Sequence, residues 1–234
     1  MAGITAVLET QPAIEDVLAH LTIGPTVTYS KGQTIYGPHH PSSSLYLVLS
    51  GKVELSGQMD GNDVALELLR PDEIFGESAF LAAPLRIDQA RAVETTKVMA
   101  WPASDVEALV AKRPRLAIAL LQVVAQRNID FIRRIQSFSL DSIEGRLARL
   151  LLHFAGRLGT PEGDGSVRMM PFTHETLSRY VGTSREIVTQ HMSRFRREGR
   201  VSYSRRNGIV VYRHSFQGLL GTEESSGLAA RGAN

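Results

Sequence analysis

The chain has 234 residues, 21% of them charged, a formal net charge of +2 and no cysteine. That composition is ordinary for a globular protein, and the missing cysteine excludes disulfides, thiol redox sensing, Cys-ligated zinc and iron–sulfur clusters. No apolar run reaches the length of a membrane span and the N-terminus lacks a signal-peptide pattern, so a cytoplasmic location without a membrane partner is expected.

Charge is unevenly placed. From Met1 to Phe138 there are 12 basic and 15 acidic residues; from Ser139 to Phe216 there are 13 basic residues, all Arg, and 7 acidic ones. A basic segment joined to an acidic one points to a polyanion-binding module attached to something else.

In chain order, Ile4 to Leu21 suggests one or two helical turns. From Thr26 to Trp101, short runs rich in Val, Ile, Leu, Thr and Tyr alternate with Gly, Pro and Ser. The punctuation recurs at roughly eight to twelve residues, the spacing of an antiparallel sandwich or jelly roll. Gly32, Gly51, Gly61 and Gly76 mark expected turns. Ser104 can cap a short helix through Val110, and Pro114 suits the first turn of a longer one.

Along that longer helix Ala117, Leu121, Val124, Asn128, Phe131, Ile135 and Phe138 step alternately by four and three. This is a period of 3.5 over three heptads, the pattern of a helix that pairs with another, and Asn128 would favour one register. A second row, Leu116, Leu120 and Val123, turns polar at Arg127, Asp130 and Arg134, so the first half is expected to be buried on two sides.

A further helix is expected from about Ser142, with Ile143, Leu147, Leu150, Leu151 and Phe154 inward, followed by a loop from Gly156 to Gly165. Phe172 to Gly199 reads as two helices broken at Val181-Gly182-Thr183, with Thr183 and Glu186 as a capping box for the second. Val188, Met192 and Phe195 make its buried stripe; Arg185, Thr189, Gln190, Ser193 and Arg196 fall on other faces. This is a helix-turn-helix, whose second helix enters the DNA major groove. Val201 to Ser204 and Ile209 to Tyr212 flank Arg205-Arg206-Asn207-Gly208, a hairpin signal that makes a wing with two Arg at its tip. Residues from Gly221 are small and polar, and disorder is expected there.

Barrel, long helix and winged helix-turn-helix together resemble the Crp/Fnr family of bacterial transcription regulators. The likeness spans about Thr26 to Tyr212. It is carried by Leu45-Tyr46-Leu47-Val48-Leu49-Ser50-Gly51-Lys52-Val53, by Pro71-Asp72-Glu73-Ile74-Phe75-Gly76-Glu77 and by Val181-Gly182-Thr183-Ser184-Arg185-Glu186. The expected fold class is α+β: a cyclic-nucleotide-binding-like antiparallel jelly roll, a long dimerisation helix and a C-terminal winged helix-turn-helix. The expected boundaries are a sensing barrel at 1–112, the dimerisation helix at 113–140, the DNA-binding domain at 141–216 and a tail at 217–234.

The resemblance implies a homodimer on double-stranded DNA, reading a palindromic TGTGA-like site, with RNA polymerase as a further partner and Gly156 to Gly165 as a candidate loop for it. Arg185 and Glu186 would touch base edges. Arg forks match guanine, and Glu accepts from cytosine N4. A third reading position, commonly Arg, is Gln190 here, which suits adenine and shifts the expected preference. Thr173, Ser184, Thr189, Arg205 and Arg206 are candidates for the DNA backbone.

For the effector, the resemblance implies a Gly-Glu pair on ribose, an Arg-Ser pair on cyclic phosphate and a Thr-Ser pair from the long helix on the base. Gly76, Glu77, Ser78 and Arg86 are present, but Ile87 stands at the Ser and Phe131-Ile132 at the Thr-Ser pair. An apolar side chain cannot replace a hydroxyl donor. A different small effector, or none, is therefore expected rather than cyclic AMP. Haem needs one or two ligands, and His20, His39, His40 and His153 exist, but exposed, non-ligating histidines are the expectation. An enzyme of the cupin type would need several His and a Glu converging from different strands; adjacent His39-His40 do not supply that, and hydrolase and phosphate-loop motifs are absent. A purely structural DNA-binding protein would have no use for the base readers Arg185 and Glu186. Activation or repression, and the target genes, are left open by the residues.

Overall fold

Leu45 and Leu47 alternate along one strand and are almost fully buried, as are Ile74 and Trp101 on the neighbouring strands. Successive side chains of a strand point to opposite faces, so this pair defines the face that packs outward against helices. The computed structural model describes residues 16–59, 62–81, 85–204 and 208–220. Its two compact units are Met1–Glu54 with Leu68–Ile132, and Leu55–Glu67 with Arg133–Asn234.

The first strands are β1 (Thr26–Tyr29), β2 (Thr34–Tyr36), β3 (Ser44–Ser50), β4 (Val53–Met59), β5 (Asn62–Leu69), β6 (Ile74–Phe75), β7 (Asp88–Ala92) and β8 (Thr96–Pro102). They form two four-stranded sheets, ordered β1-β8-β3-β6 and β2-β7-β4-β5. The first is antiparallel throughout, with Leu45 opposite Trp101, and Leu47 opposite both Met99 and Ile74. Gly51 turns β3 into β4 at φ +80°, and a β-carbon there would stand 2.5 Å from Thr95 O. Inside the barrel Tyr46 stacks on Phe75 at 5.1 Å, with Tyr36 5.7 Å from Tyr46.

Helices α1 (Ala103–Lys112) and α2 (Arg115–Leu140) follow. Val106, Leu116 and Ala119 close over Leu45, Leu47, Ile74 and Trp101. The expected Ser104 cap is corrected: Pro102 is the N-cap residue and makes no side-chain cap bond, because the chain enters α1 directly from β8. Of the N-terminal helical stretch, residues 1–15 lie outside the described residues; a single 3-10 turn, Val17–Ala19, is capped by Asp16, which accepts from Leu18 N at 2.9 Å.

Along α2 all seven seam residues are exposed within the single chain, Leu121 at 63% and Ile135 at 65%. Ile118, Ile129 and Ile132 are exposed too, so the uncovered apolar face is wider than the seam. An α-helix turns 3.6 residues per turn, and apolar flanking positions widen a 3.5-period stripe.

In the second unit, α3 (Ile143–Leu158) is capped by Ser142, which accepts from Gly145 N at 3.1 Å. The expected loop from Gly156 is corrected: α3 continues to Leu158, and β9 (Thr160–Pro161) then pairs with β10 (Val167–Met169). Next come α4 (His174–Val181), α5 (Arg185–Arg197), β11 (Val201–Ser204), β12 (Gly208–Val211) and a short α6 (Gln217–Leu220). The sheet order is β11-β12-β10-β9. Leu147, Leu151 and Phe154 of α3 share the core with Leu177, Val188, Met192 and Phe195. Gly61, Arg205, Arg206, Asn207 and the tail from 221 lie outside the described residues. No helix among the described residues is long and apolar enough to cross a membrane.

Candidate functional site

Helix α4 starts at Thr173, whose Oγ1 accepts from Thr176 N at 3.0 Å. It ends at Gly182 in the left-handed region, and the amides of Gly182 and Thr183 both close on Ser178 O. Those two residues are thereby committed to ending α4. The N-cap of α5 is consequently Ser184, accepting from Ile187 N at 3.4 Å, and not the expected Thr183. Glu186 keeps its place in the first turn. Its own backbone amide, and then the Ser184 hydroxyl, hold its carboxyl below the usual range, so it is ionised and points to solvent.

Val188 and Met192 are fully buried beneath α5, and Phe195 meets Phe216 edge-on at 5.2 Å. Deleting such a side chain costs about 2–5 kcal/mol. The anchored face leaves Arg185, Glu186, Gln190 and Ser193 exposed on the opposite side. Arg194 fixes the far end of α5, pairing with Glu144 at 3.0 Å and Glu198 at 2.8 Å.

Of the backbone-contact candidates, Thr173 and Ser184 carry caps, and Thr189 Oγ1 donates to Arg185 O at 2.8 Å, turned onto its own helix. Arg196 is not free on its face either: its guanidinium lies 5.6 Å from the Tyr203 ring, beside an open cleft lined by Ser193, Arg197 and Tyr203. Sequence reasoning missed His174. Its Nδ1 is 2.8 Å from Thr189 Oγ1 and its ring meets Tyr203 edge-on at 5.8 Å, so it ties α4, α5 and the wing strand together. Burial, and then the nearby Arg185, lower its pKa.

In the barrel, Gly76 at φ +85° leads from β6 into a 3-10 turn, Glu77–Phe80. Arg86 is 2% exposed. Its Nη1 donates to Gly76 O at 2.9 Å and Ser78 Oγ at 2.7 Å, its Nη2 to Ser44 O at 2.6 Å, and its plane lies 4.4 Å over the Tyr36 ring. Tyr36 in turn donates to Asp88 Oδ2 at 3.0 Å; burial first, and then Asp88, raise its pKa far above the ordinary value. Ile87, between Arg86 and the start of β7, is 86% exposed, whereas Arg86 is buried. Glu77 does not stand open: Arg127 of α2 pairs with it at 2.6 Å and also donates to Ile74 O at 2.9 Å. Phe131 lies on the exposed face of α2.

Three hydrogen bonds tie the Arg86 guanidinium to two backbone carbonyls and Ser78, while its buried Nε has no hydrogen-bond partner, and the Asp88 carboxylate accepts from the Tyr36 hydroxyl over whose ring Arg86 lies. The histidines considered for haem are dispersed: His39 and His40 are exposed in the turn after β2, and His153 is exposed on α3.

Comparison with known proteins gives a consistent picture. Residues 26–113 match the cyclic nucleotide-binding domain and residues 145–215 the Crp-like helix-turn-helix domain. The chain is 30% identical to the transcriptional regulator SdrP of Thermus thermophilus, over 86% of this chain and 96% of that protein. It is 29% identical to a CRP-like cAMP-activated global transcriptional regulator of Mycobacterium tuberculosis, over 74% of this chain and 78% of that one. A solved CRP/FNR-family regulator from Thermus thermophilus superposes with a TM-score of 0.68 at 28% identity, covering 84% of this chain and 98% of that chain.

Proposed function

The chain belongs to the Crp/Fnr family of DNA-binding transcription regulators, and on that premise we propose that it acts as a homodimer on palindromic, TGTGA-like duplex sites without cyclic AMP. It is a regulator and not an enzyme, as its family is. The observation that carries the DNA reading is the pair of faces on α5: Val188, Met192 and Phe195 buried, Arg185, Glu186 and Gln190 exposed. A helix anchored this way presents a fork for guanine, a carboxylate for cytosine N4 and an amide for adenine at one groove edge. Ser184, Thr173 and Thr189, with the wing residues Arg205 and Arg206, are assigned to the phosphate backbone.

Homodimerisation is supported by the apolar face of α2, from Ala117 to Phe138, exposed in the single chain. A two-fold dimer mirrors its symmetry in its site. We assign residues 1–112 to the barrel, 113–140 to the dimer helix and 141–216 to DNA binding, with RNA polymerase as the partner that reads the bound dimer.

The relatives' names favour cyclic-AMP control; the engaged Arg86 and the Arg127–Glu77 pair favour its absence. Operator binding measured by fluorescence anisotropy, with and without cyclic AMP, tests this. The same affinity in both arms is expected; binding that requires the nucleotide would overturn the ligand part of the proposal.

A further inference from the structure

Arg134 lies in the second unit on the last turns of α2, and its guanidinium holds two segments far apart in the chain. Nη1 donates to Leu66 O at 2.9 Å, and Nη2 donates to Ala65 O at 2.7 Å and to Tyr180 O at 2.9 Å. The cation faces the Phe138 ring at 5.6 Å and the Tyr180 ring at 5.8 Å. Burial lowers its pKa from the ordinary value, but an arginine stays charged at any physiological pH. Three carbonyls converge on one partly buried cation, and a charge drawn out of water is tolerated where hydrogen bonds replace its hydration.

The three carbonyls belong to meaningful places. Tyr180 O is in the last turn of α4, where carbonyls lack helical partners and the helix dipole favours a cation. Five residues later the chain reaches Arg185. Ala65 and Leu66 belong to β5, and residues 55–67 of the β4–β5 hairpin group with the DNA-binding half of the chain. A second link runs parallel to the first: Arg157 of α3 pairs with Glu67 at 3.2 Å, both side chains largely buried. The ring of Phe138, one turn beyond Arg134, lies against Gly182 in the same turn between α4 and α5.

We propose that Arg134 is a positioning residue for DNA binding: by clamping the β4–β5 hairpin and the C-terminal end of α4 on one guanidinium, it sets the direction in which α5 presents its base-reading face. The hairpin thereby becomes part of the reading apparatus. The inference rests on the DNA-reading role proposed for α5. A planar fork can serve three acceptors in fixed directions; a lysine ammonium keeps the charge and loses that geometry.

The test uses the full chain as wild type, Arg134→Ala and Arg134→Lys, with two readouts. The first is amide hydrogen exchange without DNA. Exchange is expected to quicken by about tenfold or more at residues 64–67 and 179–184 together in the Ala variant, and to a smaller degree in the Lys variant. The second is affinity for the wild-type operator, expected to weaken by about tenfold or more in both variants, an effect of the size of a single charge-assisted hydrogen bond. Faster exchange confined to α2, or in only one of the two segments, overturns the clamp. Unchanged operator affinity in a folded variant overturns its positioning role. If Arg134→Ala does not fold, Arg134→Lys carries the same two criteria. Failure of the wild-type chain to bind any duplex would refute the DNA reading instead, while the exchange readout still decides the clamp.

Discussion

Gly182 sits directly against Phe138: a β-carbon added to Gly182 would lie 2.7 Å from Phe138 Cε1. The Arg146 guanidinium covers the same ring at 4.8 Å. The turn of the helix-turn-helix is therefore packed on the end of α2 within one unit, and it needs glycine twice over, for its φ of +70° and for its lack of a side chain.

From this, Gly182→Ala should destabilise the second unit by about 1–3 kcal/mol, combining left-handed backbone strain with the displaced ring. Thermal unfolding followed by circular dichroism reads it. A melting temperature equal to that of the wild type would show that the turn relaxes freely and that the contact with Phe138 is incidental.

Arg86 separates two views of the barrel. As an internal strut it leaves Ser44 O and Gly76 O without their donor when removed, so Arg86→Ala should cost about 2–4 kcal/mol of stability in the absence of any ligand. An arginine held in reserve for a phosphate would cost little to remove from the free protein. Denaturant titration of the ligand-free variant distinguishes the two, and a loss below about 0.5 kcal/mol would contradict the strut.

Acid should weaken the winged helix through His174. Burial, with Arg185 second, holds its pKa below the ordinary value. The unfolded chain therefore takes up this proton more readily than the folded one. The stabilising contribution is complete above about pH 6.5 and is lost as pH falls through that value toward the depressed folded one. His174→Gln keeps a polar side chain and removes the titration. The wild type should lose melting temperature faster than the variant below that pH, with the two profiles parallel above it; profiles parallel throughout would contradict the role given to His174.

Much of this was legible in the residues. The longer barrel strands, the uncovered stripe of α2 and the buried stripe of α5 each repeat a period long enough to read. The two-residue strands β6 and β9 carry no period, and β9 appears only because β10 pairs with it. Side-chain partners across long separations were illegible: Arg134 meets carbonyls 68, 69 and 46 positions away, and Arg127 meets Glu77 at a separation of 50. Both arginines fall where the second row of α2 turns polar, a signal that something receives them but not what. The cap of α5 moved by one residue because Gly182 and Thr183 were already committed to ending α4.

Selection of binding sites from random duplex DNA, run on the wild-type chain and on Gln190→Arg, tests the central claim most directly. The wild type should return a two-fold palindrome whose half-site resembles TGTGA but prefers adenine at the position facing Gln190, and the variant should restore guanine there and steepen the salt dependence by about one counterion. No enriched sequence, or the same half-site from both proteins, would contradict the assignment of α5 as the reading helix.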